Sequence, residues 1–142
     1  MKKRRPRPGT IKKRLDALWS RLVRERDRHR CIMCGKVENL QAHHWFVRRA
    51  RSMAVRWVVE NGATLCYYCH LCQLHRYADR AFVQRFFNTM NDIVDAEAQE
   101  RMEDLAREPA KFSVEDLLMI EADLTKRLGA YTVSGIVFGR KA

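Results

Sequence analysis

An α+β fold is predicted for this chain of 142 residues, and three features of the sequence predict it. Two C-x-x-C pairs, Cys31/Cys34 in "CIMC" and Cys66/Cys69 in "CYYC", stand with 31 residues between them. The stretch "LQAHHWF" alternates as a short strand does. The stretch "TIKKRLDALWSRLVRERDRHR" repeats Ile11, Leu15, Leu18 and Leu22 at steps of four, three and four, the spacing of one helix face. Together they describe a β-hairpin followed by a helix, braced at its cysteines, with a basic helix before it and further helices after it.

The length suits one domain with appendages. Charge is unevenly spread. Residues 1–30 hold 13 Lys/Arg against 3 Asp/Glu, residues 31–87 hold 8 against 3, and residues 88–142 hold 7 against 11, giving nets of +10, +5 and −4. A basic front suggests a polyanionic partner, nucleic acid first. No stretch approaches the roughly 20 apolar residues of a membrane span. "MKKRRPRPGT" lacks the apolar core of a secretory signal, so the expected location is cytoplasmic, or nuclear in a host that has a nucleus.

In chain order, residues 1–9, rich in Lys/Arg with two prolines and a glycine, are expected to form a disordered basic arm. Trp19 and Val23 widen the stripe of the helix that follows. Gly35 suits a turn after the first cysteine pair. "MAVRWVV" (residues 53–59), β-branched and aromatic, is expected to be the antiparallel partner of "LQAHHWF", with the basic loop "VRRARS" between them. "NGATLC" reads as a turn into the second cysteine pair, and "YYCHLCQLH" as the start of a helix. Asp79 can cap a helix that carries Phe82, Phe86 and Met90 on one side. "DAEAQERMEDLARE" is a charged helix ended by Pro109, and Ser113 with Asp116 forms a capping box opening a last helix, expected to close at Gly129. The predicted boundaries are an arm at 1–9, a central domain at 10–90, a helical extension at 91–129 and a tail at 130–142. Trp45 and Trp57 are assigned to the core.

Five cysteines, an odd number, argue against a disulfide scaffold. Four thiolates from two C-x-x-C pairs match the closed tetrahedral shell of a structural zinc. Cys72 is left as a small buried residue. The adjacent His43 and His44 would point to opposite faces of a strand, so they cannot share one task. One imidazole would bind metal while its neighbour, neutral at working pH, activates water for phosphodiester hydrolysis. His70 and His75 are the further candidate ligands, although residues five apart lie about 140° apart around an ideal α-helix. Lys12, Lys13, Arg14 and Arg21 on the basic helix, and Arg48, Arg49 and Arg51 in the loop, are candidate phosphate contacts.

The run "CIMC…LQAHHW…NGATLCYYCH…H" resembles the HNH, or ββα-metal, endonucleases, in the variety braced by a four-cysteine zinc. The longer run "RLDALWSRLVRERDRHRCIMCGKVENLQAHH" resembles phage and prophage proteins of the NinG/Rap recombination type. The core resemblance covers about residues 31–75. It implies His44 as general base, His43 and His70 as ligands of a catalytic divalent ion, and Asn61 as the residue that orients the base and bridges the hairpin loop. His75 would be an additional ligand. The chain departs from the pattern twice. His70 and His75 are five apart where many relatives space them by four, and His43 stands where many carry Asp. An imidazole-rich site admits Mn, Ni, Co or Zn beside Mg. The resemblance implies a DNA endonuclease acting on branched recombination intermediates such as Holliday junctions, D-loops or flaps in a host cell's cytoplasm. A homodimer would suit junctions. A zinc-finger module that binds DNA or RNA without cutting accounts equally for the charge and the cysteines, but leaves the register of His43, His44, Asn61 and His70 unexplained.

Overall fold

The computed structural model describes residues 2–49 and 51–137 and has the mixed α+β composition predicted. Its elements are α1 (Pro8–Arg26), β1 (Leu40–His44), a short 3₁₀ turn (Val59–Asn61), β2 (Gly62–Cys66), a wide helix (Tyr68–Tyr77), α2 (Arg80–Ile93), α3 (Ala96–Arg107) and α4 (Val114–Val137). Two compact units divide them, one of residues 1–22 with 111–142 and one of residues 23–110. None of the described helices is long and apolar enough to cross a membrane.

In the first unit most of the stripe on α1 turns inward: Ile11, Leu15 and Leu22 are fully buried and Trp19 nearly so, whereas Leu18 is only half-buried, its place on the buried face taken by Trp19. Leu117, Leu124 and Leu128 of α4 are buried too, at steps of seven and four. Arg14 joins the two helices, donating from Nε and Nη2 to both carboxylate oxygens of Glu121 at 2.7 and 3.0 Å. The capping box forms reciprocally, Ser113 N donating to Asp116 Oδ2 at 2.8 Å and Asp116 N to Ser113 Oγ at 3.1 Å. The helix does not stop at Gly129, however. It continues to Val137, because Gly129 does not adopt the left-handed conformation that ends helices and instead weakens the helix by about 1 kcal/mol relative to alanine. The part of the predicted tail at 138–142 lies outside the described residues.

The second unit is built on the hairpin. β1 and β2 pair antiparallel, with Leu40 opposite Cys66, His43 opposite Ala63 and His44 opposite Gly62. The expected partner strand was 53–59; the observed one is Gly62–Cys66, all five residues of which are buried. The β-branched and aromatic residues of 53–59 serve a folded loop instead, with Val55, Trp57 and Val59 packed inward. That composition marks a segment fit to pack against a core, which a sheet is only one way of meeting.

Asn61, fully buried, holds the loop shut. Its Oδ1 accepts from the amides of Phe46 (3.1 Å) and Val47 (2.9 Å), and its Nδ2 donates to the carbonyls of Val47 (2.8 Å) and Val55 (3.4 Å). Replacing Asn61 with alanine strands these backbone groups away from water, so Asn61→Ala should cost about 3 kcal/mol or more, read from the urea unfolding midpoint. A loss below about 1 kcal/mol would show that water can take over the bonds.

A second brace lies at Arg26 and Asp27. Asp27 Oδ2 accepts from Thr64 N in the middle of β2 (2.9 Å), while Arg26 donates to the carbonyls of Val59 (3.1 Å) and Gly62 (2.6 Å) and to both Asp27 oxygens. Past the wide helix, Asp79 caps α2 by accepting from Phe82 N at 2.9 Å, and Phe82, Phe86 and Met90 turn inward as predicted.

Candidate functional site

The cysteine cluster forms at one end of the hairpin. Cys31 and Cys34 come from the turn before β1, Cys66 ends β2 and Cys69 lies in the first turn of the wide helix. Gly35, at φ 77°, takes the left-handed turn after Cys34 that a side chain would resist, and its amide donates to Cys31 O at 2.9 Å. The four sulfurs all lie within 4.8 Å of one another, and Cys34 Sγ is 3.6 Å from Cys66 Sγ. A tetrahedron of metal–sulfur bonds of ~2.3 Å has edges of about 3.8 Å, so the four cysteines are positioned to bind one metal ion. Burial raises the Cys34 and Cys69 thiols above their ordinary range. In Cys66 burial acts in the same direction but is outweighed by the Cys69 amide and the Cys34 thiol, which hold it lower. Cys72 is half-buried and outside the cluster.

Three imidazoles gather further along the same hairpin. One coordinating nitrogen each from His43, His70 and His75 lies within 4.8 Å of the other two. The helix Tyr68–Tyr77 makes this possible because it is a π-helix. Its hydrogen bonds close on the fifth residue rather than the fourth, so residues five apart stand one turn above each other. The His70 and His75 rings accordingly lie 4.9 Å apart, where an α-helix would have separated them by about 140°. The helix ends at Ala78, which is left-handed (φ 45°) and turns the chain into the Asp79 cap.

The strand period supplies the rest. Gln41 and His43 share a face of β1, and both meet His70: Gln41 Oε1 accepts from His70 Nδ1, and His43 Nδ1 lies 3.1 Å from His70 Nε2. An amide oxygen only accepts, so His70 carries its proton on Nδ1 and turns the Nε2 lone pair into the cluster, the arrangement by which an outer partner orients a metal-binding histidine. Burial, then the His70, His75 and His44 imidazoles and the Arg48 guanidinium, pushes His43 down to about 3. Burial and His75 lower His70 as well. Neutral imidazoles with convergent lone pairs fit a divalent transition-metal ion.

His44, the last residue of β1, has a different partner from His43. Its Nε2 donates to the Arg56 carbonyl at 2.8 Å. A carbonyl cannot donate, so His44 carries a proton on Nε2, and in the neutral ring Nδ1 is the unprotonated nitrogen. Arg56 is itself buried, its guanidinium 5.0 Å over the Trp57 ring. His43, His44, His70 and His75 share one open cleft of about 360 Å³ with Arg48 and Arg49.

The remaining basic candidates sit elsewhere. Arg51 pairs with Glu103 of α3 at 3.3 Å. Lys12, Lys13, Arg14 and Arg21 lie on α1 in the first unit, with Arg14 engaged by Glu121. Trp45 and Trp57 are both buried, as assigned, and Trp45 Nε1 donates to Glu60 O at 2.7 Å. Sequence reasoning missed Gln41, although its place two residues before His43 put it on the same face. It also missed the Arg26–Asp27 brace, for which a run of charges gave no signal. No protein-family model, curated protein or solved structure matches this chain.

Proposed function

We propose that this protein is a metal-dependent DNA endonuclease of the HNH type, with a structural zinc in the four-cysteine cluster and a second divalent ion among the imidazoles. The observation that carries the reading is the pairing of two differently prepared histidine sets in one cleft. His44 is held through Nε2 by the Arg56 carbonyl, and the ring nitrogens of His43, His70 and His75 converge beside it.

In this reading His44 Nδ1 takes the proton from the attacking water, and Arg56 O steadies the imidazolium that results. His43, His70 and His75 hold the ion, which when bound would offset charge on the scissile phosphate and the leaving oxygen. Gln41 keeps His70 in the ligand tautomer. Arg48 and Arg49, exposed at the cleft, grip the flanking phosphates, and Asn61 keeps the loop that carries them folded. Arg51 is a weaker candidate for the same duty because Glu103 holds it. Lys12, Lys13 and Arg21 add salt-dependent attraction for the DNA backbone. The zinc takes no part in the chemistry. An all-imidazole ligand set suits Mn, Co, Ni or Zn as well as Mg.

Labelled four-way junction, flap, single-stranded and linear duplex DNA, each incubated with Mg or Mn in turn, test the proposal. Cleavage should require the added ion and favour branched substrates. A protein that binds all four and cuts none under any ion would instead be a zinc-held binding module.

A further inference from the structure

Beside the imidazole cluster the cleft continues into a second recess of about 270 Å³, more enclosed than the first. One wall is shared with the cluster: His43, His44 and His75 line both. The rest of its lining, Arg48 aside, is apolar and aromatic, from Trp45, Leu74, Ala78, Val83, Phe86 and Phe87. Phe87 follows the buried Phe86 on α2 yet is 39% exposed, with its ring 6.1 Å from Trp45 and tilted 57° to it. The hydrophobic core does not account for that exposure, because Phe86 already fills the inward position and packs edge-on against His43 at 5.9 Å.

A ligand suited to both walls has an anionic ester at one end and a flat apolar face at the other, which is the chemistry of a nucleotide. Arg48, present in both recesses, adds the positive charge that the phosphate end requires. A base within a duplex is stacked and paired, and can enter a recess on a protein surface only if it is extruded. An unpaired base can lie directly on an aromatic ring, at a gain that does not depend on its identity. We infer that this recess receives the unpaired base of a nucleotide whose phosphate lies at the imidazole cluster, so that strands with an unpaired nucleotide at the cleavage point are the substrate class. The inference rests on the nuclease reading for its phosphate end, while the aromatic recess is a feature of its own.

Anisotropy titrations separate the two. The zinc-replete full chain, with no other divalent ion added, is titrated against a labelled single strand and against the same sequence as a blunt duplex, comparing wild type, Phe87→Ala and Phe87→Tyr. Wild type should prefer the single strand. Phe87→Ala should weaken single-strand binding about tenfold and leave duplex binding unchanged, and Phe87→Tyr, which keeps the ring, should stay within about twofold of wild type. Cleavage with Mn added should follow the same order. Equal affinity of wild type for both forms, or single-strand affinity indifferent to the ring, overturns the inference. Phe87-dependent binding by a chain that cuts nothing would uphold the recess and remove the nuclease, and cutting that ignores Phe87 would do the reverse.

Discussion

Substituting His44 with alanine is expected to lower the single-turnover cleavage rate by roughly 10²–10⁴-fold while leaving the fold and DNA affinity near wild type. The size follows from the role: a positioned base that removes the proton from water contributes on that scale, and no other group in the cleft is prepared to replace it. His43, His70 and His75 are directed into the cluster, and the guanidinium groups of Arg48 and Arg49 offer only donors. The structural cost should be small, since the substitution leaves the Arg56 carbonyl without this donor at a cost of about 1–3 kcal/mol at most. Three readouts on one preparation decide the matter: cleavage rate, DNA binding by anisotropy and thermal melting. Loss of cleavage alone supports the base assignment. A variant that cuts like wild type removes it, and one that loses all three together has reported on folding instead.

Replacing Cys66 or Cys69 with serine should unfold the second unit. Its sheet has only two strands of five residues, and an isolated hairpin of that size is marginal in water. The cysteine cluster ties three separate pieces, the turn before β1, the end of β2 and the first turn of the π-helix. Structural zinc contributes ~10–16 kcal/mol of apparent binding energy, comparable to or greater than the whole net stability of an ordinary domain, about 5–15 kcal/mol. The expected result for Cys66→Ser is loss of the bound zinc on metal analysis together with loss of the cooperative melting transition. Wild type treated with a strong chelator should behave the same way. A Cys66→Ser protein that melts like wild type with less metal would show the cluster to be incidental to the fold.

Much of this architecture was legible in the residues themselves. The α1 stripe, the Asp79 cap, the Ser113–Asp116 box and the four cysteines are local patterns, each needing only neighbours a few positions away, and the structure contains them all. What stayed hidden depended on distant partners. Residues 53–59 carry strand-like composition but fold as a packed loop, closed by the Asn61 side chain through Phe46, Val47 and Val55, while the strand pairing goes to Gly62–Cys66. The brace at Asp27 is invisible locally because its acceptor oxygen meets Thr64, 37 residues on. Gly129 misled for the opposite reason: glycine permits a left-handed stop without enforcing one. At the site, different surroundings for His43 and His44 are legible from strand alternation, whereas the tautomers of His70 and His44 come from Gln41 and Arg56, residues with no motif of their own.

The winding of Tyr68–Tyr77 makes the number of residues between two imidazoles and the angle between them independent quantities in this protein. One extra position in the chain is absorbed by the pitch of the backbone, and the imidazoles are left where a four-residue spacing on an ordinary helix would put them. A search that counts letters from His70 finds His75 out of step and discards it. The measure that survives such a change of length is the turn, and any rule for recognising sites of this kind should be written in turns.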